Sequence, residues 1–128
     1  MKVSLQILPG TYAMFKVENL KDLHSHISES RVYIASQAED EISIVCEDKF
    51  LPANYLAQSS GWKLLKFIGS LDDNLIGTVS MITLPLAKAS ISLIVNTTYD
   101  SGYFGVQSDN LQKTIEVLTK EDFKISGA

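Results

Sequence analysis

The sequence has few of the residues that mark disulfide-rich, nucleic-acid-binding or catalytic proteins. Its 128 residues include one cysteine, Cys46, so no internal disulfide can form. Cys46 lies in the apolar run at residues 42–46, which favours a buried, inert thiol over a nucleophile. The 11 basic residues form no cluster and are outnumbered by 15 acidic ones, giving a net charge of −4. Nucleic acid is therefore not expected as a partner.

Long hydrophobic segments are also lacking. The apolar stretch at residues 75–95 contains Pro85 and Lys88, so it divides into a helix and a strand and does not predict a membrane span. Near the N-terminus, Gln6 and Pro9 interrupt the hydrophobic residues before they reach the length of a signal peptide. We therefore expect a soluble, cytoplasmic protein without a membrane partner.

Motifs for catalysis and for metal or cofactor binding are missing as well. The serines lack a nucleophile elbow, and the glycines form no nucleotide-binding pattern. His24 and His26 have no third ligand nearby in sequence, which favours a surface pair over a metal site. The acidic groups at residues 39–41 and 72–73 are typical of a solvated turn and a helix start. We predict no catalytic residue, no metal and no cofactor, and we do not expect an enzyme.

The residues that are present suit one compact domain, with internal duplication as an open alternative, because the length and the 45% hydrophobic content are ordinary for a globular domain. Alternating patterns in the first half predict strands, together with a short helix over residues 20–28. Residues 47–61 form the best internal boundary. The strands are expected as two hairpins, 3–8 with 12–17 and 32–35 with 41–46.

The second half predicts a clearer order of elements. A strand is followed by a helix whose apolar residues recur at helical spacing, then by two hairpinned strands, a second helix and a short closing strand. Pro85 is expected to kink the first helix or end it early. The expected strands are 62–68, 91–98, 103–107 and 123–125, and the helices start near Leu75 and Leu111.

This order of elements predicts an α+β, ferredoxin-like βαββαβ unit, with one antiparallel sheet and both helices on one face. Such a sheet leaves an open edge, which the N-terminal strands or a second copy of the chain would cover. The feature with the clearest chemistry is the strand-to-helix turn at residues 69–77. Its free backbone N–H groups favour a carboxylate, and Gly77 lets a ligand approach closely. Alternatively, Gly77 serves only to pack the helix on the sheet.

The sequence also resembles a known family in the order and spacing of several short segments. These segments are Leu8-Pro-Gly-Thr-Tyr-Ala13, Glu39-Asp-Glu-Ile-Ser-Ile-Val-Cys46, Gly61-Trp62, Gly69-x-Leu71-Asp72, Pro85-Leu-Ala87, Ile91-Ser92 and Thr98-Tyr-Asp100. Together they resemble the small stand-alone ACT-domain proteins over almost the whole chain. The resemblance implies two ACT-like units in tandem, related to the arginine-sensing ACT proteins. Residues 1–60 would be a degenerate first unit, and residues 61–128 an ACT domain.

The resemblance further implies a regulatory module that binds an amino acid, and a homodimer formed through its ACT units. The amides at residues 70–77 would hold the ligand's carboxylate, the strand end at residues 97–99 would wall the pocket, and Asp100 would pair with its ammonium. Two departures from the family pattern fall here, Gly102 in place of a second aspartate and Asp73-Asn74 in place of Phe-Ser. The alternative is an assembly module without a small-molecule ligand. The implied ligand-binding residues are Ser70, Leu71, Asp72, Asn74, Leu75, Ile76, Gly77, Thr97, Thr98, Tyr99 and Asp100.

Overall fold

A computed structural model of the chain describes residues 4–23, 25–68 and 75–127. The chain divides into two compact units: one spans Gly10–Trp62, and the other combines residues up to Pro9 with those from Lys63 onward. The strands are β1 (Ser4–Ile7), β2 (Tyr12–Val17), β3 (Tyr33–Gln37), β4 (Ile42–Glu47), β5 (Ala57–Ile68), β6 (Ile94–Thr97), β7 (Gly102–Gln107) and β8 (Lys124–Ser126), and the helices are α1 (Leu75–Lys88) and α2 (Leu111–Lys120).

In the unit spanning Gly10–Trp62, the strands lie in the order β3-β4-β2-β5, and each neighbouring pair is antiparallel. One face of β2 and β4 carries the core, because apolar side chains alternate along both strands. Short 3-10 turns, at Ile27–Glu29 and Asp48–Phe50, supply apolar residues that pack on this face. The core residues are Ala13, Phe15, Val17, Ile44, Cys46 and Phe50.

The predicted helix over residues 20–28 is wrong. Two 3-10 turns, Leu20–Asp22 and Ile27–Glu29, occupy this stretch instead. A helix of this length is marginal without strong propensity, and the stretch is rich in short polar side chains that compete for backbone hydrogen bonds. Directly after it, the hydroxyl of Ser30 donates to the Val32 carbonyl at 2.6 Å and accepts the Glu47 N–H at 3.0 Å. These bonds hold the chain in an extended course toward β3.

Strand β5 is longer than the predicted strand at 62–68, since it begins at Ala57 within the stretch expected to be a connector. The polar first part pairs with β2, as in the Phe15–Gln58 register. The register shifts between Tyr12 and Met14, and Gly61 opposite this irregularity has a positive φ of 81°. Gly61 therefore accommodates a β-bulge that most other residues would strain to adopt.

In the other unit, the strands lie in the order β6-β7-β5-β1-β8. Alternate residues of β1, β5 and β7 point to one face, where both helices pack. The predicted α+β, ferredoxin-like fold is therefore confirmed, although the parallel pairing of β1 with β8 makes the sheet mixed instead of wholly antiparallel. The core comprises Leu5, Ile7, Leu65, Phe67, Ile82, Leu86, Ile91, Phe104, Val106, Leu118 and Phe123.

The predicted hairpin of the first two strands is wrong. β1 pairs antiparallel with the end of β5, as in Leu5 with Phe67, whereas β2 pairs with the beginning of β5 and with β4. Leu5 and Ile7 are buried in the core beneath the helices, so burial of these side chains stabilises β1 away from its neighbour in sequence. The N-terminal strand thus lies inside a sheet and does not cover an edge.

Helix α1 does not break early at Pro85 but continues to Lys88. Its end is set by two backbone bonds, from Ile91 N–H to Leu86 O at 3.0 Å and from Ser90 N–H to Ala87 O at 3.0 Å, with Ser90 at a φ of 60°. This is the hydrogen-bond pattern of a Schellman motif. The apolar contact between Ile91 and Leu86 in the core completes it.

Candidate functional site

Hydrogen bonds at both ends hold the turn between β6 and β7 in place. The Thr98 N–H donates to Ser101 O at 2.9 Å, and the Ser101 N–H donates to Thr98 Oγ1 at 3.0 Å. The Ser101 hydroxyl also donates to the carbonyl of Phe67 at 2.9 Å. Because Phe67 is the penultimate residue of β5, this bond fixes the turn beside the end of β5. The chain enters the predicted turn at 69–77 from the same place.

The predicted ligand-binding residues fall into three groups. Ser70, Leu71, Asp72 and Asn74 lie outside the described residues. Residues 75–77 form the first turn of α1, whose backbone N–H groups have no carbonyl one turn earlier in the helix to bond with. Thr97 ends β6, and residues 98–100 belong to the turn between β6 and β7. Thr97, Thr98, Tyr99 and Asp100 are all exposed, and the Tyr99 side chain is fully so.

Gly77 lies at the surface in the first turn of α1. A Cβ at this position would meet no other described atom within 4 Å. The alternative explanation from the sequence, that Gly77 lets the helix pack on the sheet, has no such contact to support it. At Gly77 itself, no described atom occupies the space that a side chain would take.

Gly102, the first residue of β7, has a role that sequence reasoning missed. A Cβ here would lie 2.5 Å from Cε2 and 2.6 Å from Cδ2 of Phe67. The Phe67 ring is buried and packs against Phe104 with ring centroids 6.2 Å apart. The absence of an aspartate at position 102 is therefore required by the packing of Phe67. A pattern of glycine on one strand facing phenylalanine on its neighbour could have indicated this only once the pairing was known.

A groove along α1 was also missed from the sequence. It encloses about 370 Å³ between the outer surface of α1 and the chain that follows α2. Met81 and Leu84 are 40% and 56% exposed there, and Lys88 and Glu121 contribute charges of opposite sign. The lining residues are Ser80, Met81, Leu84, Pro85, Lys88, Glu121 and Phe123. Among the predicted ligand-binding residues that the structure describes, none lines this groove.

Other reactive or ligating groups are few in the described part of the chain. Cys46 is fully buried in the sheet core, as expected, and burial first, then the charges of Glu47 and Asp48, raises the pKa of its thiol to about 11. Such a thiol is a poor nucleophile at neutral pH. His26 pairs with Glu29 at 2.8 Å on the surface. Among the described residues we find no cluster of side chains suited to a metal ion. No helix in these ranges is long and apolar enough to cross a membrane.

A helix start, a strand end and a hydrogen-bonded turn on a ferredoxin-like sheet define this part of the chain as a small α+β module. A family model of the ACT domain matches residues 58–120, which contain all three features. Residues 58–120 are thus an ACT domain. ACT domains are regulatory modules and not catalytic ones.

Solved structures share this fold. A crystal structure of a protein from Agobacterium tumefaciens superposes with a TM-score of 0.89 at 25% identity, over 98% of this chain and 93% of that one. Aspartate kinase from Clostridium acetobutylicum superposes with a TM-score of 0.65 at 12% identity, over 94% of this chain and 34% of the kinase. The regulatory subunit of aspartate kinase from Thermus thermophilus superposes with a TM-score of 0.58 at 4% identity, over 86% of this chain and 90% of the subunit. No curated protein matches the sequence.

Proposed function

We propose that this chain is a cytoplasmic regulatory module whose ACT domain binds an amino acid between the start of α1 and the β6–β7 turn. The family match over residues 58–120 supports the regulatory role. The similar folds include an aspartate kinase described as allosteric and an aspartate kinase regulatory subunit. Both belong to enzymes that act on an amino acid, which makes an amino-acid effector the natural first candidate.

The observation that carries the proposal is the hydrogen bond from the Ser101 hydroxyl to Phe67 O, at 2.9 Å. It holds the turn at residues 98–100 beside the end of β5, where the chain leads into residues 69–77. In the proposed mode, the amides that precede and begin α1 bind the ligand's carboxylate. The exposed carboxylate of Asp100 binds the ammonium group. The contacts are made by Ser70, Leu71, Asp72, Asn74, Leu75, Ile76, Gly77, Thr97, Thr98, Tyr99 and Asp100.

The tandem arrangement belongs to the same proposal, with a degenerate unit in residues 1–60 and an ACT domain in 61–128. Numbered from its own first strand, the Gly10–Trp62 unit has the order second-third-first-fourth. When the strands of the other unit are numbered from β5, they have the same order, and β1 is inserted between the first strand and the fourth. In the first unit, the positions that correspond to the two helices of the second unit hold only 3-10 turns, two between β2 and β3 and one between β4 and β5. This shared order supports an ancestral duplication in which the first unit lost its helices.

A thermal-shift titration of the full chain with each standard amino acid tests ligand binding. A ligand at about 100 times its Kd should add about 2.7 kcal/mol to the free energy of unfolding. Gly77→Ala should raise the stability of the unliganded protein by about 0.5–1 kcal/mol, because the helix gains propensity and the new methyl group meets no described atom. The same variant should reduce the ligand-induced shift, since the methyl group blocks approach to the backbone.

Gln112→Ala, at an exposed position in the first turn of α2, is the matched control and should keep the full shift. If every amino acid leaves the melting temperature unchanged, amino-acid binding is ruled out. If Gly77→Ala and Gln112→Ala respond equally to an active ligand, that ligand binds somewhere other than the start of α1.

An assembly module without a small-molecule ligand is the second candidate, and the exposed apolar groove on α1 favours it. Leu84 is 56% exposed and lies beside Met81, where a partner's apolar side chains would find a complementary surface. Under this function, Leu84→Glu should abolish association with a partner while the amino-acid titrations remain flat. An amino-acid shift that survives Leu84→Glu would instead support the leading proposal.

A further inference from the structure

The unit spanning Gly10–Trp62 has a pocket at one end of its sheet, on the face that carries its core. The strand registers place Gln37 of β3 opposite Ile42 of β4, and Ile42 opposite Val17 of β2. Directly paired residues point to the same face, so these three form the last row of the core face, to which Val17 belongs. Leu56 lies beside this row, because its N–H donates to the carbonyl of the residue before Val17 at 2.8 Å.

The floor of this pocket is apolar and open. Val17 is buried and Ile42 is partly buried, but Leu56 is 56% exposed, and all three line a volume of about 290 Å³. In the other unit, α1 and α2 pack on the core face of the sheet. The described part of the Gly10–Trp62 unit has no α-helix, and the core residues that its 3-10 turns supply do not line the pocket. An apolar row of the core face is therefore left without a helix to cover it.

Carboxylates surround the floor. Glu18 follows β2, and Glu39, Asp40 and Glu41 lie in the turn between β3 and β4, where all four line the pocket and are exposed. Lys16 is the only cationic residue among the described ones that line it. Among the described residues, none of the four carboxylates forms an ion pair. The rim thus carries a net negative charge, which an incoming cation would reduce.

We infer that this pocket docks a basic amphipathic helix of a partner protein. The apolar stripe of the helix packs on Ile42 and Leu56 and completes the core face, as α1 and α2 do in the other unit. Its lysine or arginine side chains pair with the carboxylates of the rim. Charge selects this partner, because an acidic helix would set like charges against Glu18 and the turn at residues 39–41.

This docking surface goes beyond the amino-acid site proposed above and does not depend on it, because every residue that lines the pocket precedes the ACT match at 58–120. It also shares no lining residue with the groove along α1. Failure of either amino-acid binding or helix docking therefore leaves the other proposal standing.

Fluorescence anisotropy of a labelled synthetic peptide, titrated with the full chain, tests the docking. The probe is a helical peptide with leucine along one stripe and lysine at the remaining positions. One control peptide replaces each lysine with glutamate, and another has the same composition in an order without the stripe. The basic amphipathic peptide should bind at least roughly tenfold more tightly than either control. Failure of this peptide to bind, or equal affinity for all three, would overturn the inference.

Two pairs of variants locate the bound peptide. Glu39→Lys should weaken binding roughly tenfold, whereas Glu116→Lys, exposed on α2, makes the same change in net charge and should not. Leu56→Gln should also weaken binding roughly tenfold, whereas Leu84→Gln removes an equally exposed leucine from the groove along α1 and should not. Equal effects within either pair, or a loss confined to Leu84→Gln, would contradict docking in this pocket. Circular dichroism checks that each variant is folded, and if Leu56→Gln unfolds, the glutamate pair decides.

Discussion

At the residue scale, Gly102 and Phe67 form one packing unit. The Phe67 side chain is 1% exposed, so its ring has little room to move away from a new Cβ at position 102. The same Cβ would also lie 3.3 Å from the carbonyl oxygen of Asn96 on β6. A family pattern with aspartate here would require a smaller residue at position 67. The departure at Gly102 is thus a consequence of the core and need not reflect a change of ligand.

Gly102→Ala should lower the free energy of unfolding by about 1–3 kcal/mol, because the methyl group overpacks the ring of Phe67. Urea denaturation followed by circular dichroism measures this. In a Phe67→Leu background the penalty should shrink, since the clashing ring atoms are absent. Equal penalties in both backgrounds would show that the Asn96 carbonyl on β6, and not the ring, excludes the side chain.

At the element scale, both helices end in the left-handed conformation without glycine. Ser90 follows α1 with a φ of 60°, and Asp122 follows α2 with a φ of 68°. After α2, the Phe123 N–H donates to Leu118 O at 3.1 Å and the Asp122 N–H to Thr119 O at 3.1 Å, which repeats the pattern at the end of α1. Tertiary burial of the apolar residue after each turn therefore holds a backbone conformation that the local sequence disfavours.

Ser90→Gly should raise the free energy of unfolding by about 1 kcal/mol, because glycine adopts this conformation without the steric cost. Asp122→Gly should raise the free energy of unfolding by less, since aspartate tolerates the left-handed region better than most residues. Thermal and urea unfolding of the two variants provide the measurement. A stability loss in Ser90→Gly would mean that the greater flexibility of the unfolded chain outweighs the relief of strain.

At the scale of the whole molecule, the two ends of the chain meet in one sheet. Strand β1 lies between β5 and β8, and Leu5 is fully buried beneath the helices. Leu5→Ala should therefore cost about 2–5 kcal/mol and lower the melting temperature of the helical signal at 222 nm. Gln6→Ala, on the exposed face of the same strand, should change stability by less than about 0.5 kcal/mol. A helical signal insensitive to Leu5→Ala would contradict the placement of β1.

Much of the fold could be predicted from the sequence because its signals are local. The helical spacing after Leu75 and the alternation along β2 and β4 reflect which face of each element is buried. The hairpin of the first two strands was mispredicted because β1 and β2 both alternate well, and alternation does not say which strand is the partner. The early part of β5 was missed because its side chains are polar, whereas its pairing with β2 is made by the backbone.

In the candidate site, too, some features were predicted from the sequence and others depend on contacts between distant segments. The helix start near Gly77 was predicted from a short local pattern, whereas the role of residues 97–100 was implied by the family resemblance. The turn lies beside the end of β5 because of the bond between Ser101 and Phe67, which are 34 residues apart. The close approach of Phe67 to Gly102 and the groove beside Leu84 likewise join distant segments, so no local pattern indicates them.

The sequence by itself determined the class of fold, the position of the helices and the ACT-like order of motifs, because burial periodicity and turn chemistry act over a few residues. Only the tertiary structure decided where β1 belongs, why position 102 is a glycine and which strands lie at the edges of the sheet. Each of these depends on a contact between segments far apart in the chain, whose free energy arises only when the sheet has assembled.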